Sequence, residues 1–213
     1  MNTQNLIDAH VADRESIDAP IATTIALAMA LGFTVSAAVF VWQLGWRPDI
    51  GQASQTVRFL FKFVVTPLAA LVPAIALAAH LARPDANPGM WSWALLIAPT
   101  LLIAGVSAEL MALPANVWAA KLIGTNARIC LTVIPLLAIA PLAALLFALS
   151  RGAPSEPRLA GAVAGIVAGA LAATLYAFKC TDDSPLFVAT WYTIAIGVVA
   201  LAGSLIGERA LRW

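Results

Sequence analysis

Residues 129–180 read ICLTVIPLLAIAPLAALLFALSRGAPSEPRLAGAVAGIVAGALAATLYAFKC. Two uncharged apolar runs, 129–149 and 159–178, flank a short polar connection carrying Arg151-Gly152-Ala153-Pro154-Ser155. Each run has the roughly 20 residues with which a helix crosses a hydrocarbon layer about 30 Å thick. Runs of nearly equal length joined by a short loop form an antiparallel helical hairpin. The start of the first helix then lies level with the end of the second. Cys130 and Cys180, the only cysteines in the chain, are therefore expected together at one membrane face.

Four more uncharged runs, 21–44, 63–81, 91–108 and 185–206, complete a set of six. The fold class that follows is all-α, an integral membrane bundle of six transmembrane helices with a short N-terminal amphipathic segment. Composition agrees: 62% of residues are hydrophobic and 11% charged, against roughly 45–50% and 25% in soluble domains. Residues 1–20 read as a tail and 21–213 as the transmembrane domain, with no connection long enough for a further soluble domain. The first run does not read as a secretory leader. Asp8, Asp13, Glu15 and Asp18 precede it with Arg14 as the lone cation, and its 24 residues exceed an h-region. A net charge of +1 offers no basic face, which argues against direct nucleic-acid binding.

Local signals place the ends of the helices. Trp42 and Trp46 mark an interface after the first run, and Trp91 and Trp93 mark another at the start of the third. Arg58 and Lys62 open the second helix, where their long side chains are expected to snorkel to water. Pro67, Pro73, Pro135 and Pro141 fall inside apolar runs, which packed membrane helices tolerate. Residues 85–89 form a turn, and Glu109 lies near the far end of the third helix. Gly161, Gly165 and Gly169 repeat at GxxxG spacing, read first as close packing within the bundle. Orientation is undecided by charge, since six cations fall on each side.

Three chemistries are open to the cysteine pair. Each thiol is a small buried hydrophobe, or the two form a structural disulfide on an oxidising face, or they are a reactive or metal-binding pair. Glu109, Lys179, Asp182 and Asp183 are expected at the same level. Lys179 would favour the Cys180 thiolate, while the carboxylates would oppose it but help to hold a cation. His10 and His80 lie on the opposite side, and no CxxC occurs, which disfavours a thioredoxin-like cycle. In the tail, Leu6, Ile7, His10 and Val11 share one helical face with Asp8 and Glu15 opposite. That acidic amphipathic segment suits a groove on a basic protein partner rather than anionic lipid.

The segment CTDDSPLFVATWY, residues 180–192, resembles the NrsF-type anti-sigma factors. The resemblance is carried by Tyr176, Cys180, Asp183, Pro185, Leu186, Phe187, Trp191 and Tyr192, and by Leu211-Arg212-Trp213. Upstream, Ala127-Arg128-Ile129-Cys130, Ile134-Pro135-Leu136, Asn5-Leu6-Ile7-Asp8 and Asp13 are similar to the family's other segments; residues 15–19 depart from it. The resemblance implies an inner (cytoplasmic) membrane protein with both termini cytoplasmic. Its tail would sequester an extracytoplasmic-function (ECF) sigma factor. It implies a periplasmic Cys130/Cys180 pair that senses heavy metal or oxidant, with a transient metal ion as signal and no resident cofactor. The competing reading is a membrane thiol or quinone oxidoreductase using the same pair; a small transporter ranks third. Oligomeric state is not legible.

Overall fold

Proline and glycine decide how the apolar helices meet in the computed structural model, which describes residues 21–83 and 89–212. The described chain is all-helical, with six helices long and apolar enough to cross a membrane. They are α1 (Ile21–Leu44), α2 (Val57–Leu81), α3 (Trp91–Ala112), α4 (Ala127–Leu149), α5 (Pro157–Ala177) and α6 (Pro185–Ala210). The expected amphipathic tail and most of the turn at 85–89 lie outside the described residues. A short helix, Trp118–Ile123, precedes α4 and ends at Gly124. Gly124 has φ +58°, and a Cβ there would stand 2.5 Å from the Phe187 ring, so both backbone and space require glycine.

The centre of the bundle is α5, buried along nearly its whole length. Its glycines face α6 in the same chain: a Cβ on Gly165 would fall 2.5 Å from the Ala200 Cα, and one on Gly207 would fall 2.8 Å from the Gly161 Cα. Lipid gives no hydrophobic drive between helices, so this backbone approach supplies the dispersion contact that joins them. The GxxxG stripe is thus spent on packing inside the bundle.

A different device seats α1 on α4. Pro141 has no N–H, which leaves the Leu137 carbonyl without its helical partner. The Ser36 hydroxyl donates to that carbonyl at 2.7 Å. One turn away, Gly32 lies against Pro141, where a Cβ would come 2.5 Å from the proline Cα. The outer faces of the bundle are apolar, with Leu68, Ile103, Leu136 and Phe147 all more than 60% exposed. The third helix is peripheral, with Ala98 and Glu109 its buried residues.

Three helices carry π-helical turns, at Phe40–Leu44 in α1, Val64–Leu71 in α2 and Val188–Tyr192 in α6. The turn in α2 contains Pro67, whose missing donor already breaks the α-helical ladder.

Gly165→Val should destabilise the bundle by about 1–3 kcal/mol through overpacking. Gly197→Ala, at a position with nothing within 4 Å of a new Cβ, should leave it unchanged. Thermal midpoints in detergent by size exclusion would separate the two; equal midpoints would refute the α5–α6 packing.

Candidate functional site

Between α5 and α6 the chain leaves helical geometry, so the carbonyls of Phe178, Cys180 and Asp182 need outside donors. They obtain them from the α1–α2 connection and from the start of α2. The Arg47 backbone N–H donates to Phe178 O at 3.0 Å. The Arg47 guanidinium reaches Cys180 O at 3.0 Å. The Lys62 ammonium donates to Cys180 O at 3.1 Å and to Asp182 O at 3.3 Å.

The same two cations meet Asp183. Arg47 Nη1 lies 2.8 Å from Asp183 Oδ2, and Lys62 pairs with Asp183 Oδ1. The Arg47 fork also grips Asp49, with two bonds of 2.8 Å. Lys62 is 0% exposed and Arg47 4%. The bond to Asp49, with Asp183 beside it, raises the Arg47 pKa further against burial. In return the Arg47 hydrogen bond lowers the Asp49 carboxyl to about 2.

Two more carboxylates tie the loop down. Glu109, at the end of α3, accepts from the Ser184 hydroxyl at 2.6 Å and from the Leu186 N–H at 3.2 Å, and pairs with Arg58 at 3.2 Å. The Leu186 N–H is one of the unpaired donors of the α6 N-terminus, where a negative charge also suits the helix dipole. Asp182 Oδ2 accepts from the backbone N–H groups of Thr125 and Asn126 at 3.0 and 2.8 Å, and from the Asn126 side chain at 2.9 Å. Burial alone would raise the Asp182 pKa, but these bonds from Asn126 and Thr125 hold it below the ordinary value. The loop is therefore fastened to the ends of α1, α2 and α3 and to the start of α4.

Cys130 and Cys180 are free thiols buried in one core. They lie close enough to interact electrostatically with each other and with Lys62. The Cys180 thiol faces its own loop, 3.8 Å from Asp182 O. Burial pushes its pKa above the ordinary 9.0, and the Lys62 charge opposes this without overcoming it. Tyr176 and Tyr192 enclose the pair, with the Tyr192 hydroxyl buried beside the Cys180 thiol. Aromatic rings pack at the start of the loop: Phe178 meets Trp46 edge to face at 4.9 Å and Phe63 at a tilt at 4.6 Å.

The two cysteines are thus brought together, and Glu109, Asp182 and Asp183 join the loop that holds Cys180. Their carboxylates are committed to other partners. Among the described residues no group of three or more His, Cys, Asp and Glu side chains could hold a metal ion. Lys179 makes no ion pair among the described residues; Lys62 is the cation beside the thiols. Leu6, Ile7, His10 and Val11 lie outside the described residues. The snorkelling expected of Lys62 is overturned. Phe59 and the 178–184 loop shut its route to water, and loop carbonyls take the place of solvent. Arg47, Asn126 and Ser184 were not singled out in the sequence, although Arg47 beside Trp46 at a helix end was a signal for an interfacial anchor.

A family model described as NrsF, negative regulator of sigma F, matches residues 11–213. The chain is 33% identical over 220 residues to the anti-sigma-F factor NrsF of Caulobacter vibrioides, covering 100% of both chains. It is 32% identical over 216 residues to the probable anti-sigma-F factor NrsF of Azospira oryzae, again over 100% of both. No solved structure gives a significant match.

Lys62→Ala should cost about 3–5 kcal/mol, since it strands buried acceptors. Lys179→Ala should cost nothing measurable; thermal melts that rank the two alike would refute the buried-pair assignment. Because burial favours the neutral Cys180 thiol, maleimide should label it slowly in native membranes at pH 7. Labelling should accelerate as pH rises above 9.0. Native labelling at the rate of detergent-unfolded protein would contradict the buried thiol.

Proposed function

The chain belongs to the NrsF family of negative regulators of sigma F, and on that premise we propose that it is an inner-membrane anti-sigma factor gated by its thiol pair. Family membership carries a regulatory, non-enzymatic role with a sigma factor as partner, which displaces the oxidoreductase reading. The finer assignment is ours. The six apolar helices with lipid-like outer faces span the inner membrane, and both termini are cytoplasmic. Residues 1–20 dock a cytoplasmic ECF-type sigma factor through Leu6, Ile7, His10 and Val11, and residues 21–213 form the sensor. Cys130 and Cys180 then lie toward the periplasm.

The observation that carries the sensing step is the burial of two free thiols beside a loop fastened from the α1–α2 connection, α2, α3 and the start of α4. An oxidant of the two-electron class removes two protons and two electrons and leaves one S–S bond. A soft heavy-metal ion instead displaces two thiol protons and bridges two thiolates. With the nearby carboxylates engaged, the residues present suit these two-sulfur events better than a four-ligand site. Either event shifts Cys180 and with it the loop. A tenfold fall in affinity for the sigma factor needs only about 1.4 kcal/mol of coupling.

The decisive experiment is a pull-down of the detergent-solubilised protein with and without residues 1–20, read by mass spectrometry. A sigma factor retained by the full chain alone is expected; capture by both forms would rule out the tail, and capture by neither the anti-sigma assignment. Cys130→Ser and Cys180→Ser should each keep repression and lose induction by oxidant or metal. Wild-type induction in both would remove the sensor.

A further inference from the structure

A signal at Cys180 must cross the membrane to act on residues 1–20, and α1 is the helix that leads directly into them. The connection that leaves its far end is bonded to the cysteine loop itself. The Arg47 N–H holds Phe178 O, the Arg47 guanidinium holds Cys180 O and Asp183, and Trp46 meets Phe178 edge to face. The Cys180 carbonyl belongs to the residue whose sulfur would react, so a shift of that residue acts on Arg47 with nothing in between.

Halfway down, α1 makes its tightest approach to α4, and below it Ile25, buried in the core, packs the inner arm together with Ala28 and Met29. Gly32 lies against Pro141, with Ser36 bonded to the carbonyl that Pro141 frees. Leu27 and Leu31, on the outer side, are more than 60% exposed. The connection beyond α1 is thus held hard, the helix is seated tightly near its middle, and its inner arm is packed on one face and open on the other. From Gly32 to Ile21 it runs about 16 Å at 1.5 Å per residue. The π turn Phe40–Leu44 falls between the two attachments, followed by Gly45 at φ +64°. An extra residue in one turn is a local defect that helices use at functional sites and can yield under load.

We propose that α1 is a lever, with Arg47 as its grip on the cysteine loop and Gly32 on Pro141 as its fulcrum. It carries the state of the thiol pair to the N-terminal tail. The proposal rests on the anti-sigma reading above. Joining Cys180 to Cys130 draws the 178–184 loop toward the start of α4 and turns the Cys180 carbonyl away from Arg47. The grip loosens, the π turn relaxes, and the inner end of α1 tilts about Gly32. Arg47 is a positioning residue here; it takes no part in the thiol chemistry.

The test uses the full chain in its native host, with a sigma-dependent reporter and the thiol oxidant diamide. Arg47→Gln and Arg47→Lys are compared with wild type and with Cys180→Ser. Lysine keeps the charge but cannot span Asp49, Asp183 and the Cys180 carbonyl as the guanidinium fork does. The expected result follows from a grip already lost: oxidation of the pair, read by maleimide gel shift, stays as in wild type, while the reporter is active without diamide. That activity rises by roughly tenfold over wild type, a typical size for allosteric coupling, and diamide adds little to it. If Arg47→Gln does not accumulate in the membrane, Arg47→Lys decides. Wild-type repression and full induction by diamide in an accumulated Arg47 variant, with Cys180→Ser silent, would overturn the lever and spare the sensor. Repression kept with induction lost in both variants would mean that loosening the grip is not the signal, and would also overturn it. Full induction in Cys180→Ser would instead sink the sensor reading and the lever with it.

Discussion

A lysine with no access to water can remain charged only if oxygen surrounds it. Lys62 is fully enclosed, and its ammonium is met by the carbonyls of Cys180 and Asp182 and by the Asp183 carboxylate. The dependence runs both ways. Irregular backbone inside an apolar bundle is tolerated only where its polar groups find partners, and the 178–184 loop finds them in Lys62 and Arg47. Removing either side strands the other. This mutual requirement brings α1 and α2 against the α5–α6 junction. Glu109 and Asp182 then add α3 and α4 by capping the starts of α6 and α4.

Stiffness is distributed unevenly around that junction. The α5–α6 pair is locked by glycine contacts that leave no room for a methyl group. Nearer the loop the helices are built differently, since α1, α2 and the start of α6 each contain a π turn. Packed interiors resist continuous deformation and move between discrete arrangements. A shift at the loop will therefore be taken up by the π turns before the glycine seam gives way. The π turns around the loop thus bias motion toward its own end of the bundle and away from the glycine seam.

Much of this was legible in the chain. Hydropathy located all six helices, because a lipid-crossing helix must be apolar over about 20 residues. Counting them predicted that Cys130 and Cys180 meet. Glu109 at the end of α3 followed from its position after an uncharged run. The roles of the charges were not legible. Lys62 one turn inside a helix reads the same whether it snorkels or is buried, and the difference lies in acceptors 118 and 120 residues away. Likewise Lys179 adjoins Cys180 in sequence, yet the helix end turns it elsewhere and Lys62 supplies the local charge. Asp182 and Asp183 looked like ligands beside a thiol. Their bonds to Asn126 and Arg47 commit them otherwise, which only the tertiary fold decides.

That commitment links the two kinds of signal. A disulfide needs the sulfurs alone, and forming it drags the Cys180 backbone and loosens the carbonyl held by Arg47 and Lys62. A cation that prefers four ligands must recruit oxygen as well. The nearest carboxylates belong to Asp182 and Asp183, and taking Asp183 breaks its pairs with Arg47 and Lys62 directly. Binding such a cation would be weaker, because it must offset the buried ion pairs it breaks, but it would act on the same attachment. Oxidant and metal would then converge on one mechanical event because the oxygens near the thiols already hold α1 and α2 in place. A site built with free carboxylates would bind metal more tightly and transmit less.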